Sequence, residues 1–192
     1  DFDKALKKLL IQTIKEHKAI IFNGNGYSDE WLEEAARRGL PNLVSTVDAL
    51  PHYMDPQNIA MFEKFRIYTK EEIASRTDIL LENYSKVINI EAMTMLDMTK
   101  KKLLPAAMEY GKKICDTAIA KKQLGLDASA ETKLAADLDS NTAKMYETMQ
   151  TLESKVNAAK EIDDVLECAK AYRSQVFSAM SDLRTYADRL EM

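Results

Sequence analysis

From Thr69 to about Leu124 the chain keeps apolar residues at helical spacing for longer than any other stretch of its 192 residues. Between Val87 and Met98 the apolar positions are Val87, Ile88, Ile90, Ala92, Met93, Met95, Leu96 and Met98. That is too many for the narrow stripe of a surface helix. A helix so apolar on nearly every face needs partners around it, so this segment is expected to form the spine of the fold. Thr69-Lys70-Glu71-Glu72 has the capping-box pattern, a hydroxyl at the N-cap and a glutamate three residues on. Pro105 removes a backbone donor inside the pattern and predicts a kink about one turn upstream. Gly125 is a fitting C-terminal stop.

Only 5 Gly and 4 Pro accompany 46% hydrophobic and 30% charged residues, a balance that favours an all-α fold of ordinary domain size. A net charge of -4 provides no general attraction to nucleic acid or anionic lipid. No membrane-spanning run or signal-peptide pattern is evident, which makes the cytoplasm the expected location. Cys115 and Cys168 both fall in helical pattern and read as free thiols rather than a disulfide or a ligand pair. The sequence starts at Asp1 rather than Met, as expected of a fragment of something longer.

Ahead of the spine, Leu6, Leu9, Leu10, Thr13, Ile14 and His17 define an amphipathic helix over residues 3–17, with Lys4, Lys7, Lys8 and Lys15 elsewhere on its circumference. Ala19-Ile20-Ile21-Phe22 reads as a short buried, strand-like or extended run before the turn Asn23-Gly24-Asn25-Gly26. Ser28 is positioned to cap a helix that Gly39 ends before Pro41. Residues 40–56, with Pro41, Pro51 and Pro56, read as an irregular connection holding one helical turn near Val47, followed by a short helix from Gln57 to Phe65.

Behind the spine, Ser129 is expected to cap a helix whose seam is Leu134, Leu138, Asn141, Met145, Met149, Leu152 and Val156. A last helix, about Ile162 to Leu190, repeats the pattern with Val165, Ala169, Tyr172, Val176, Met180, Leu183 and Ala187. The connections near Gly125 and Glu161 are short enough to require antiparallel neighbours. The expected fold is therefore an elongated antiparallel helical bundle around a long Pro-kinked central helix, with a smaller N-terminal helical and irregular segment. The division falls between residues 1–68 and 69–192. The part of the spine after Pro105 is assigned to the two later helices, and Thr69 to Leu104 to the N-terminal segment or a neighbouring domain.

Motifs with chemical content are few. Gly24-Asn25-Gly26 resembles the start of a phosphate loop, but a third glycine is missing and Asp29 and Glu30 would repel a phosphate, so it reads as a structural turn. His17 and His52 have no metal-ligand spacing around them, and no serine or thiol has a nucleophile's setting. Glu91, inside the most apolar stretch, reads as a buried polar anchor, with an acid catalyst or metal ligand as the alternative. Arg76 and Glu82 pose the same choice less sharply, with surface pairing as their ordinary role. Met93, Met95, Met98 and Met108 form an adaptable cluster that fits a core or an interaction surface. Lys100-Lys101-Lys102 reads as a solvated face. No catalytic, cofactor-binding or metal-binding residue is assigned.

Specific words in the chain are more telling. Ile20-Ile21-Phe22-Asn23-Gly24-Asn25-Gly26-Tyr27-Ser28-Asp29-Glu30-Trp31, then Glu34-Ala35-Ala36-Arg37-Arg38-Gly39-Leu40-Pro41-Asn42, resemble the C-terminal region of bacterial type III glutamine synthetases. So do Ser75-Arg76, Glu82-Asn83-Tyr84, Ile88-Asn89-Ile90-Glu91-Ala92 and Leu104-Pro105-Ala106, in order and spacing. The resemblance is strongest over residues 17–125. It implies a glutamate–ammonia ligase that makes glutamine from glutamate, ammonia and ATP with Mg2+ or Mn2+ in an upstream catalytic domain, the N-terminal segment continuing from that domain. It also implies a homo-oligomer of stacked rings, in which this domain contacts its own catalytic domain and neighbouring subunits. The fragment alone is expected to be inactive and to hold no cofactor. The alternative is a free-standing scaffold or adaptor that binds a partner helix beside Met93 and Met95. A weaker third reading is an independent enzyme built on Glu91.

Overall fold

The computed structural model describes residues 1–191, and among them every regular element is helical. The chain divides into two compact units, the first ending at Val44 and the second beginning at Ser45.

The first unit contains helix α1 (Phe2–Glu16), a 3-10 turn at Lys18–Ile20 and helix α2 (Asp29–Arg37). α1 has the expected amphipathic pattern, yet none of its residues is buried within the unit. Leu6, Leu9, Leu10, Ile11 and Ile14 all remain exposed. The run Ala19-Ile20-Ile21-Phe22, expected to be buried and extended, instead opens in the 3-10 turn and leaves Ile20 and Ile21 exposed. Ser28 occupies the N-cap of α2, but its hydroxyl donates to the Asn25 carbonyl (2.9 Å) rather than capping the helix. The other end closes as the sequence predicts. Gly39 takes φ +74°, its N–H donates to Ala36 O (3.0 Å), and Leu40 N–H donates to Ala35 O (2.9 Å). That pair of bonds is the usual glycine-terminated helix end.

The second unit begins with the short helix α3 (Thr46–Ala49), a 3-10 turn at Leu50–Met54 and helix α4 (Pro56–Lys64). Val47 and Leu50 pack with Leu81 and Ala169, which ties this segment to the bundle. The compact unit therefore starts at residue 45, whereas the sequence pattern places a division at 68/69. Composition marks residues 40–56 as irregular but carries no record of what they pack against.

The spine is helix α5 (Lys70–Met98), a π-helical turn at Thr99–Leu103 and helix α6 (Leu104–Gln123). Its start is the predicted capping box. Thr69 Oγ1 accepts from Glu72 N–H (3.3 Å), and Glu72 Oε2 accepts from Thr69 N–H (2.8 Å). The chain resolves Pro105 with the π turn, which precedes the proline by one turn, where the missing N–H and the ring would strain an α-helix. The π turn also resets the register. The buried residues run Leu81, Ser85, Ile88, Ala92, Leu96 and Thr99, step five to Leu104, and resume with Ile114 and Ala118.

Gly125 (φ +70°) then ends α6, with Leu126 N–H donating to Lys121 O (2.9 Å). Helix α7 (Ser129–Lys160) returns antiparallel, followed by α8 (Val165–Ala171), a second π turn at Tyr172–Val176 and α9 (Phe177–Leu190). Ser129 is the first helical residue rather than the cap. Asp127 Oδ1 accepts its N–H (3.0 Å) from outside the helix. The α7 and α8–α9 seams read from the sequence supply the core residues Met145, Met149, Leu152, Val156, Tyr172, Val176 and Leu183. Ile88, Ala92, Leu96 and Leu104 of the spine complete the core.

The coverage of the spine follows the expectation only in part. The stretch before Pro105 lies among α7, α8 and α9, with residues 45–64 over its first turns, whereas α6 packs chiefly on α7 alone. Leu134, near that two-helix end, is 47% exposed despite its place in the seam.

Candidate functional site: uncovered surfaces on a helical scaffold

The side chains with catalytic potential are dispersed. Glu91 is exposed, which overturns its reading as a buried anchor. The reason is geometric: the buried line through Leu81, Ser85, Ile88, Ala92 and Leu96 is narrow, and Glu91 points off it. Glu82 forms an ordinary surface pair with Lys86 (3.0 Å). His17 caps the end of α1 in the first unit, while His52, in the second, lies 2.8 Å from Asp55 Oδ2 at an exposed turn. Cys115 is exposed. Cys168 is half-buried, its thiol 3.5 Å from Ala159 O. No group of three His, Cys, Asp or Glu residues able to hold a metal occurs among the described residues. Lys100 and Lys101 pair with Glu153 and Asp97 on the surface. The four methionines do not make one groove. Met95 packs against the core, and Met93, Met98 and Met108 are exposed.

In the first unit the family-like words converge on Arg38, a residue the sequence did not mark for a role. Its guanidinium donates to Glu34 Oε1 (2.5 Å), Ile21 O (2.5 Å) and Ala19 O (3.2 Å). It also lies 5.9 Å from the ring centroids of both Phe22 and Trp31, which are 4.5 Å from each other. One cation thus fastens α2 to the segment before the Asn-Gly-Asn-Gly turn. A Cβ on Gly24 would run into the Phe22 ring, so this glycine permits the close approach. Asn25 Oδ1 accepts from Tyr27 N–H (3.0 Å), completing a structural turn. Hydrogen bonds from Arg37 and Arg38 hold the Glu34 carboxyl at about 2, down from 4.5. The legible signal was the i,i+4 spacing of Glu34 and Arg38.

The second unit carries exposed apolar side chains and two hollows. Val87, Ile90 and Met98 form an exposed apolar strip on the spine, away from the buried line, and Ile90 is 64% exposed. Near the start of the spine, a hollow of ≈ 310 Å³ is lined by Tyr53, Tyr68, Arg76, Ile79 and Leu80. Another hollow of ≈ 310 Å³ is lined by Ser85, Asn89, Lys160, Asp163, Cys168 and Tyr172. There Tyr172 donates to Asn89 Oδ1 (3.2 Å), and burial pushes the phenol's pKa up. That bond explains an asparagine in the middle of the Ile-Asn-Ile-Glu-Ala word: it joins the spine to the π turn between α8 and α9.

By class, then, this is a helical scaffold of two units with broad apolar faces left open. A family model described as the glutamine synthetase C-terminal domain matches residues 5–122, from α1 to the end of α6. The chain belongs to the glutamine synthetase C-terminal domain family. It is 40% identical over 193 residues to a glutamine synthetase of Butyrivibrio fibrisolvens, an alignment that spans 100% of this chain and 28% of that protein. A glutamine synthetase of Bacteroides fragilis (strain YCH46) is 29% identical over 196 residues, covering 99% of this chain and 27% of the relative. A type-3 glutamine synthetase of Dictyostelium discoideum is 29% identical over 193 residues, covering 97% and 26%. The chain therefore spans about a quarter of the length of the relatives it matches.

Proposed function

We propose that this chain is the non-catalytic, helical C-terminal domain of a cytoplasmic type III glutamine synthetase, and that it supports the assembly of that enzyme. The observation that carries this reading is the alignment of essentially the whole chain with only 28% of a glutamine synthetase. The ATP, divalent metal, glutamate and ammonia sites then belong to the remainder of the polypeptide. The exposed faces supply the physical argument for a supporting role. A 15-residue helix with no buried residue, α1, gains little from its own propensity and needs an apolar surface to lie on. The catalytic part of the same polypeptide supplies that surface in this reading. The spine strip meets a neighbouring subunit of a ring-shaped homo-oligomer.

The test is a coupled assay of ATP- and metal-dependent glutamine formation. It is run on the full-length protein, on the 192-residue chain, and on a protein truncated before Asp1. The full-length protein forms glutamine and the isolated chain does not. Turnover by the isolated chain would overturn the proposal.

A further inference from the structure

The hollow at the start of the spine has a construction that its packing role does not explain. Arg76 is exposed on the first turns of α5, and its guanidinium lies 4.4 Å from the centroid of the Tyr68 ring. That stacking holds the planar fork in place while leaving its N–H donors unused. No carboxylate of the described residues lies within ion-pair distance of it. Glu72, one turn back, is committed to the Thr69 N–H, and Asp78 forms no ion pair with Arg76. Thr77, also in the wall, donates its hydroxyl to Ile73 O (2.9 Å).

The aromatic support is itself built. Tyr53 stacks on Phe62 at 6.2 Å, and Phe62 packs on Tyr68 at 5.8 Å, so the row ends at Arg76. The turn that brings Tyr68 there carries Arg66 in the left-handed region, φ +54°, where only glycine is free of steric cost. Backbone strain of this kind persists where the surroundings impose it. In the wall of the hollow, Ile79 and Leu80 stand exposed. Tyr53 is shared with a second hollow of ≈ 300 Å³ beside Met61 and Phe62. An unpaired guanidinium fixed on an aromatic face, set in apolar walls, is complementary to a carboxylate attached to an apolar body. The second hollow and the apolar rim extend past what one small acid would cover, which favours a peptide.

We propose that this hollow is a docking site for a peptide segment of a protein partner, one that places an aspartate or glutamate side chain on Arg76 and an adjacent large apolar side chain against Ile79 and Leu80. Arg76 selects the charge and the rim supplies the contact area. This inference concerns binding alone and is read out independently of glutamine formation.

The experiment uses the full-length protein and a fluorescein-labelled pentapeptide with a central aspartate between phenylalanine and leucine, followed by fluorescence anisotropy. A second peptide carries asparagine in place of aspartate. The expected result is saturable binding of the aspartate peptide and binding at least about tenfold weaker for the asparagine peptide. Arg76→Gln abolishes the difference between the two peptides, and Arg76→Lys restores only part of it, because an ammonium lacks the planar fork. Ile79→Ser, at an exposed rim position that the fold does not need, weakens both peptides alike and leaves their ratio unchanged. The proposal is overturned if the aspartate peptide shows no saturable binding, or if the ratio between peptides is the same in the wild type and in Arg76→Gln.

Discussion

Arg38 shows how much organisation one side chain can impose on a small unit with little core. It satisfies two carbonyls, a carboxylate and two aromatic faces at once. Because Trp31 is the single tryptophan of the chain, its fluorescence reports this site and no other. The Glu34 carboxyl is held at about 2 by hydrogen bonds from Arg37 and Arg38, against 4.5 ordinarily. A folded-state value depressed in this way contributes stability that is fully present above about pH 4.5. It is lost as the pH falls from there toward 2. An acid titration followed at Trp31 should therefore show the first unit loosening within that window. Glu34→Gln removes the carboxylate, so its titration should be flatter there and its neutral-pH stability lower. Salt should weaken the effect in the wild type, since the cluster is partly solvated. An unchanged titration in Glu34→Gln would show that the ion cluster does not hold the unit together.

Among the helices, what could be read from the sequence was what depends on neighbours a few residues away. The capping box at Thr69, the glycine stops at Gly39 and Gly125, and the seams of α7 and α9 are all local in this sense. Thr69→Ala removes one of the two reciprocal cap bonds and should destabilise the second unit by about 1 kcal/mol in urea unfolding followed by circular dichroism. What could not be read was which apolar positions the chain itself covers. Glu91 and Ile90 sit in an apolar sentence, yet the buried line does not include them, because α7, α8, α9 and residues 45–64 cover one side of the spine only. Nor did Pro105 announce a π turn, since a one-residue change of register leaves the apolar spacing on either side intact. Gly111 lies within α6. An added Cβ would stand 3.1 Å from Leu138 Cδ2, a half-buried, movable tip at the two-helix end. Gly111→Ala should thus gain most of the intrinsic helix preference, about 0.5–1 kcal/mol, measured by the same unfolding transition. A loss of stability would mean that Leu138 is held more firmly than its exposure implies.

For the whole molecule, the decisive quantity is the apolar surface the fold leaves open. α1 buries none of its leucines within its own unit, and the spine carries Val87, Ile90 and Met98 outside the core. Elsewhere the surface carries charged pairs such as Lys86–Glu82 and Lys113–Glu109. If the strip meets a neighbouring subunit, a lysine at Ile90 must be buried without a partner when that contact forms, while costing little in the separate domain, where position 90 is 64% exposed. In the full-length protein, Ile90→Lys should shift the mass distribution in analytical ultracentrifugation toward smaller assemblies and leave the helical circular-dichroism signal unchanged. An unaltered mass distribution for Ile90→Lys would place the subunit contact elsewhere and leave the strip without the role proposed for it.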